Sequence, residues 1–332
     1  MATIPKQDVE VKTKKLSIDI SKIVKEAQSS YGKKETGLAK QLSTGVSIIR
    51  PSEDDDFVVW TKGTHWKSLT HLKGLPFGRM IQISGKPDSG KSSHAMVFMA
   101  EAQKQGCLVI LWDAEKKFSA YRYKNHIGGD PDNLLVVDTN NIINGAKAVS
   151  AFVHAAKEQD PDIKILIVWD SVGSSINSTE DSDEDEDFSR QPGVTAKEVA
   201  WAVRKFNKLM QRYFNREKGK ETIAVLAINQ TYAAIGSVGQ IEKGGGELYY
   251  LSSVVVQLSR KQDLNRVKNK EKYKYGIVTR AKVKKNHLFE GDESIAEMDL
   301  VISSDGVQLA KDVKGSASDI QGWDDDSESE NE

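Results

Sequence analysis

The sequence predicts an α/β fold: a core with a mainly parallel central sheet, an antiparallel extension of that sheet, a short N-terminal helix-strand arm and a disordered acidic tail. Three observations carry this. Continuous apolar strands alternate with amphipathic helices from about residue 78 to 229, as in a parallel sheet covered on both faces. After residue 247 strands follow one another without helices, as in antiparallel pairing. The ends differ from the middle: residues 1–12 are polar, and from Lys311 onward the chain is polar and acidic.

The elements follow in order. Leu16, Ile20, Ile23, Val24 and Ala27 recur at helical spacing, "YGKKETG" breaks the pattern, and "VSIIRP" (46–51) reads as a short strand ended by Pro51. Next come a strand "GRMIQIS", a helix over 91–105, strands "CLVILWD" and "LLVVD", a helix over 144–158, a strand "IKILIVWD", a helix over 195–216 and a strand "TIAVLAIN". Strands are then expected near 249–258, 275–284 and 296–302. The boundaries that result are an arm at 1–60, a core at 61–305 and a tail at 306–332.

Composition narrows the setting. A formal net charge of -1 conceals acidic runs at 180–187 and 319–332 set against lysine-rich segments, so the average says little about partners. Cys107 is the one cysteine, which excludes an internal disulfide and suits a reducing cytoplasm. The scattered histidines give no zinc-site spacing. No apolar run approaches the roughly 18 residues that cross a bilayer, and the start lacks a signal-peptide core. The expectation is a cytoplasmic protein with no membrane partner.

The segment "GKPDSGKS" matches G-x-x-x-x-G-K-[ST] between a predicted strand and a predicted helix. Its residues Gly85, Lys86, Pro87, Asp88, Ser89, Gly90, Lys91, Ser92 and Ser93 can wrap phosphates with backbone N–H groups, aided by the helix N-terminus. Lys91 is expected at the β- and γ-phosphates and Ser92 at Mg²⁺. Two apolar strands end in acid, at Asp113 and Asp170; Asp170, on the more apolar strand, is assigned to the magnesium site. Glu115, two residues past the other strand, is either the carboxylate that activates water or a solvated loop charge. Gln230 ends a further strand and is either a γ-phosphate sensor or a strand cap, ahead of a Gly-rich stretch. On the helix over 195–216, Val199, Val203, Phe206 and Met210 form a core stripe, while Lys197, Trp201, Arg204 and Lys208 form a basic face able to grip a phosphate backbone and stack a base. A basic helix face alone is also what a merely solvated helix shows.

These residues resemble the RecA family of strand-exchange recombinases, most closely the phage-encoded UvsX type. The resemblance runs over about residues 70–305 through "GLPFGRMIQISGKPDSGKSS", "WDAE", "GGDPDNLLVV", "IVWDSV" and "AINQTY…KGGGELYYLSSVVVQLSRK". It implies a RecA-like P-loop ATPase core, ATP and Mg²⁺ as cofactors, a DNA-dependent ATPase, and a filament on single-stranded DNA that pairs it with homologous duplex in recombination and repair. "IVKEAQSSYGKK" is similar to the family's N-terminal helix, which packs on the adjacent protomer. It further implies Glu115 as the catalytic glutamate, Lys91 as a catalytic phosphate contact and Gln230 as the residue coupling γ-phosphate to DNA. Tyr123 falls at the adenine-stacking position, with Tyr121 competing. Residues 174–196 and 231–247 correspond to the two DNA-binding loops, with Gly236, Gly244, Gly245 and Gly246 in the second. Lys197 and Arg204 match basic positions that contact the DNA backbone, in agreement with the helix face that also carries Lys208. Lys285 in "KVKKNH" matches a cation supplied to the neighbouring protomer's ATP. Partners implied are single- and double-stranded DNA, further copies of the chain, and single-strand-binding and mediator proteins, within a bacterial host if the protein is phage-encoded.

Three departures stand out. His287 occupies the family's second cationic position, with Lys284 a substitute. The first loop carries "EDSDEDED", which repels phosphates unless it swings clear or binds Mg²⁺, and otherwise reads as a solubilising insert. The stretch after the core is shorter than the family's C-terminal domain. The tail "DIQGWDDDSESENE" suits solubility, mimicry of DNA or docking through Trp323. Competing functions are a ring helicase or branch-migration ATPase, a non-catalytic loader and a small-metabolite kinase. The triple glycine opposes the first, the intact Lys91, Ser92, Glu115 and Asp170 the second, and the lack of a visible acceptor pocket or lid the third.

Overall fold

The computed structural model describes residues 56–310 apart from 62, 179–192, 216–217, 234–239, 243–244, 269–270, 290–296 and 305. The N-terminal helix and strand expected above, the acidic run and the tail lie outside the described residues. The fold is α/β with a mostly parallel central sheet and an antiparallel flank, as the sequence predicts.

Two short strands, β1 (Phe57–Val59) and β2 (Gly74–Pro76), pair antiparallel around helix α1 (His65–Thr70). The main sheet is built from β3 (Met80–Gly85), β4 (Leu108–Asp113), β5 (Leu134–Val137), β6 (Ile165–Asp170), β7 (Ile223–Ala233), β9 (Ser252–Lys268), β10 (Glu271–Asn286), β11 (Glu297–Ser303) and β12 (Gly306–Leu309). In space the order is β12-β11-β10-β9-β3-β7-β6-β4-β5, with β8 (Gln240–Glu242) paired to the end of β7. Strands β9, β3, β7, β6, β4 and β5 run parallel, and β9 through β12 form the antiparallel flank. Helices α2 (Lys91–Lys104), α3 (Ile142–Gln159) and α4 (Val194–Arg212) cover the faces. Strand β6 is buried from Ile165 through Trp169, which is why its sequence is apolar without alternation.

Several expectations need correction. The helix expected to reach 216 ends at Arg212, with Tyr213 as its C-cap. The strand expected from 249 begins at Ser252, after a short helix α5 (Glu247–Leu251). Strands β9 and β10 are also far longer than expected, at 17 and 16 residues, because their outer ends are polar. A backbone ladder holds that part of the hairpin, with ion pairs such as Lys274–Asp263 (3.0 Å) on its surface. Among the described residues the elements run from β1 at Phe57 through β12.

Two cores flank the sheet. On one side Trp112 of β4 and Trp169 of β6 stack at 4.3 Å with 9° between their planes, and Phe206 of α4 meets both edge-on. Gly145 lets α3 lie on this stack, since a Cβ there would come within 2.1 Å of the Trp112 ring. The predicted stripe Val199, Val203, Phe206 and Met210 is buried here.

On the other side α2 is buried on most of its surface, seated in an aromatic cluster of Trp60, His65, Trp66, His94 and Phe98. His94 Nδ1 lies 3.1 Å from the Gly90 carbonyl, and neither ring nitrogen of His65 has a hydrogen-bond partner among the described residues. Burial pushes the His94 imidazole down to about 4 despite that carbonyl. Burial and the neighbouring His94 push His65 down to about 3.

Unfolding frees both imidazoles to take up protons near their ordinary value of 6.5, while the folded ones stay neutral until about 4 or below. The unfolded state therefore binds more protons in that window, and stability falls as pH drops from 6.5 to 4. His65→Leu should lose less of its urea-unfolding midpoint than the parent over that interval; parallel losses would contradict the account.

Candidate functional site

The register of the parallel strands brings the predicted residues to one edge of the sheet. Asp113 pairs with Asp170 across β4 and β6, Asp170 with Ile228 across β6 and β7, and Gly85 with Gln230 across β3 and β7. The phosphate-type loop, both strand-end acids and Gln230 thus emerge side by side at the C-terminal edge, where α/β sheets bind ligands.

The loop from Gly85 to Gly90 is tightly seated. Gly90, the N-cap of α2, has φ 92°, and a Cβ there would lie 2.0 Å from Ile302 Cδ1, so only glycine fits. The Thr279 hydroxyl donates to the Ser89 carbonyl at 3.1 Å, anchoring the loop to β10. Lys91 is buried, and its Nζ donates to the Lys86 carbonyl at 2.7 Å. Burial lowers its pKa, against the pull of Asp170, Glu115 and Asp88. Ser89 Oγ is buried with no hydrogen-bond partner among the described residues. A polyphosphate would supply acceptors for that hydroxyl, the Lys91 ammonium and the N–H groups of α2, so the residues fit a nucleotide triphosphate.

Asp170 is hydrogen-bonded by Ser92, and burial, with Glu115 and Asp113 nearby, lifts its carboxyl to about 6 against that bond. A carboxylate held high by burial and by neighbouring acids is a site that a cation relieves. One carboxylate and one hydroxyl are oxygen donors of the kind Mg²⁺ takes when phosphates and water complete its shell. No group of three or more His, Cys, Asp or Glu with metal-site geometry occurs among the described residues.

Asp113 is placed differently. Its two carboxylate oxygens accept the backbone N–H groups of Lys117 (3.2 Å) and Phe118 (3.0 Å), and Lys116 adopts φ 53° between them. This closes the loop that carries Glu115. The Glu115 side chain is only 13% exposed, so it is not a solvated loop charge. Its Oε1 accepts from Ser171 Oγ (2.5 Å), Ser174 Oγ (2.5 Å) and Gln230 Nε2 (2.6 Å), and its Oε2 pairs with Lys117 Nζ (2.8 Å). Burial alone would raise its pKa, but the bonds from Lys117, Ser171 and Ser174 hold the carboxyl down at about 2. Gln230 is no strand cap: β7 continues to Ala233, and the side-chain Oε1 of Gln230 accepts from Tyr232 Oη at 2.7 Å. Ser171, Ser174 and Lys117 were missed by sequence reasoning, because small hydroxyls and a loop lysine carry no motif of their own.

Tyr123 requires correction. It is completely buried, its Oη donates to Gln103 Oε1 at 2.7 Å, and Phe118 packs against its ring at 5.4 Å, leaving no open face for a base. Tyr121, by contrast, is 72% exposed.

On α4 the residues Lys197, Trp201, Arg204 and Lys208 share the exposed face, with Lys205 over the Trp201 ring at 5.5 Å. Arg204 Nε pairs with Glu247 Oε1 at 2.9 Å, joining α4 to α5. Gly245, at φ 78°, lies so close to α4 that a Cβ would sit 3.0 Å from Ala196 Cβ; Gly246 caps α5. Gly236, Gly244 and the acidic run of the first loop lie outside the described residues. Lys285 lies away from the phosphate-type loop in sequence and donates to the carbonyls of Tyr249 (2.8 Å) and Tyr250 (2.9 Å). Exposed Lys284 sits in a β-bulge beside it, and His287 is exposed as well.

A family model described as the RecA N-terminal domain matches residues 40–308. Proteins named Protein RecA are similar to the chain: 31% identical over 231 residues in Rippkaea orientalis, covering 69% of this chain and 60% of the relative. In Nautilia profundicola the identity is 32% over 251 residues, covering 73% and 65%, and in Cytophaga hutchinsonii 29% over 280 residues, covering 83% and 70%. The chain thus spans 60% of the length of the Rippkaea relative.

Ser174→Ala removes one donor from Glu115 and should raise its carboxyl pKa from about 2 toward 4.5, read by carboxyl-carbon NMR titration of nucleotide-free protein. An unchanged titration would show that the serine does not hold the carboxylate.

Proposed function

The chain belongs to the RecA family, and from that premise we propose that it is an ATP-dependent DNA recombinase, closest to the phage UvsX type. It assembles as a filament on single-stranded DNA and pairs that strand with homologous duplex in recombination and repair. The observation that carries this reading is the set of bonds on one carboxylate. Glu115 accepts from Ser174, in the first predicted DNA loop, and from Gln230, just before the second. A metabolite kinase has no use for such a link between its base and two nucleic-acid loops, whereas a DNA-switched ATPase requires one.

In the proposed cycle the loop Gly85–Ser93 and Lys91 grip the triphosphate, and Ser92 and Asp170 hold Mg²⁺. When bound, Mg²⁺ neutralises developing charge on the phosphates. Glu115 orients the attacking water and takes its proton on a carboxylate oxygen. A carboxylate held near 2 is a weak base, so turnover needs some of its four donors withdrawn. Gln230 is suited to that role, because its side-chain Nε2 donates to Glu115 while its Oε1 accepts from Tyr232 at the start of the second loop. DNA drawn onto that loop shifts Tyr232, then Gln230, and so releases Glu115. Tyr121 rather than buried Tyr123 is the candidate platform for the adenine.

Lys197, Arg204 and Lys208 contact the strand's phosphates and Trp201 offers a ring to a base, with Gly236, Gly244, Gly245 and Gly246 shaping the second loop. Pairing supplies sequence specificity, and the protein's grip on the backbone is salt-sensitive. Lys285 reaches the ATP of the adjacent protomer once it leaves the carbonyls of Tyr249 and Tyr250, and residues 1–60 pack on that protomer. Single-strand-binding and mediator proteins act with the filament in the cytoplasm of a bacterial host. Among the described residues no helix is long and apolar enough to cross a membrane.

Single-stranded DNA should stimulate ATP turnover, and Lys91→Ala should abolish it; near-normal hydrolysis by that variant would overturn the site. Arg204→Ala should weaken single-strand binding and reduce the slope of log affinity against log salt by about one. Unchanged binding would remove α4 from the DNA path.

A further inference from the structure

The reading above leaves Lys117 without a task beyond its pairing with Glu115. Asp113 accepts the Lys117 and Phe118 N–H groups, and the left-handed turn at Lys116 brings residues 115 and 117 to the same cleft. That cleft is lined by Ser92, Asp113, Glu115, Lys117, Phe118 and Asp170, together with apolar side chains of α2 and β4. Among these lining residues Lys117 is the one base, set against three carboxylates. The Lys91 ammonium is turned to the Lys86 carbonyl.

The two members of the Lys117–Glu115 pair are held very differently. Glu115 is 13% exposed and fixed by three further donors on its other oxygen, while the Lys117 side chain is 77% exposed. The lysine is therefore the partner free to move. Its charge is felt by Lys91, and it feels Asp88 and Asp170, so it lies within electrostatic reach of Asp88 and Lys91 in the phosphate-type loop. An ion pair with one member this exposed is weak and easily exchanged. A terminal phosphate brings more charge and more acceptor oxygens than a carboxylate that already has three other donors, and it competes for the ammonium on favourable terms.

We propose that Lys117 is a phosphate-contacting residue, whose ammonium leaves Glu115 for the terminal phosphate of a bound nucleoside triphosphate and so uncovers the Glu115 carboxylate. The exchange rests on the nucleotide reading of this cleft. It gives the chain, from its own sequence, a cation at the triphosphate's end, and couples the arrival of that phosphate to the freeing of the base. A diphosphate does not reach the exchange position, so Lys117 separates the triphosphate from the diphosphate state.

Calorimetric titration of the full chain with ATPγS and with ADP, both with Mg²⁺, tests this. Lys117→Met should weaken ATPγS about tenfold, equivalent to about 1.4 kcal/mol, and leave ADP within about twofold. Lys117→Arg should restore most of the ATPγS affinity. Equal weakening for both nucleotides, or none for either, would overturn the proposal, as would tighter ATPγS binding by Lys117→Met. Lys91→Ala separates this from the broader reading. If the parent binds neither nucleotide, the nucleotide site itself fails. If the parent binds both, Lys91→Ala binds weakly and Lys117→Met matches the parent, only the role of Lys117 fails.

Discussion

Everything at the site depends on the register of β4, β6, β7 and β3. Because Asp113, Asp170 and Gly85 end their strands alongside Ile228 to Gln230 of β7, loops far apart in sequence meet at one edge. A one-residue slip would turn every side chain of a strand to the other face. Trp112 and Trp169 oppose such a slip. They pair across the same two strands one residue before the acids, stack below the site, and are wedged by Phe206. The Trp169 indole also donates to Ser175 Oγ at 2.9 Å, and the Trp112 indole to the Thr139 carbonyl at 2.6 Å, so the stack fixes loops as well as strands. The apolar core thereby sets the geometry of the polar edge.

On that edge the charges are arranged as opposites. Asp170 is lifted to about 6 by burial and by neighbouring acids, whereas Glu115 is surrounded by donors and held at about 2. The first environment favours a cation's arrival; the second favours a carboxylate waiting for its donors to leave. The donors on Glu115 belong to separate segments, so anything that moves Ser174, Gln230 or Lys117 changes its basicity. Coupling of this kind needs only a few short bonds with two alternative partners, not a distortion of the sheet.

Much of this was legible in the sequence where one local pattern fixes one outcome. The phosphate-type loop, the apolar strands and the two faces of α4 each follow from spacing alone, and Val199, Val203, Phe206 and Met210 are buried as that spacing requires. What was not legible depends on contacts distant in sequence. Tyr123 falls at the family's stacking position, yet Gln103 and Phe118 enclose it. Asp113 and Asp170 look alike as strand-end acids, and only the turn at Lys116 shows that Asp113 closes a loop. Ser171 and Ser174 became visible when the strands aligned. The outer ends of β9 and β10 escaped because a ladder carried by backbone bonds leaves no apolar alternation to read.

The central claim is that nucleotide at this edge controls a grip on single-stranded DNA that serves homologous pairing. Its most direct test is joint-molecule formation between a labelled single strand and duplex, with ATP and Mg²⁺, using homologous and heterologous duplex in parallel. The account predicts product with homologous duplex and ATP together, and none when either is withheld. Joint molecules formed regardless of homology or of ATP would contradict it, as would their absence when supplied with single-strand-binding and mediator proteins.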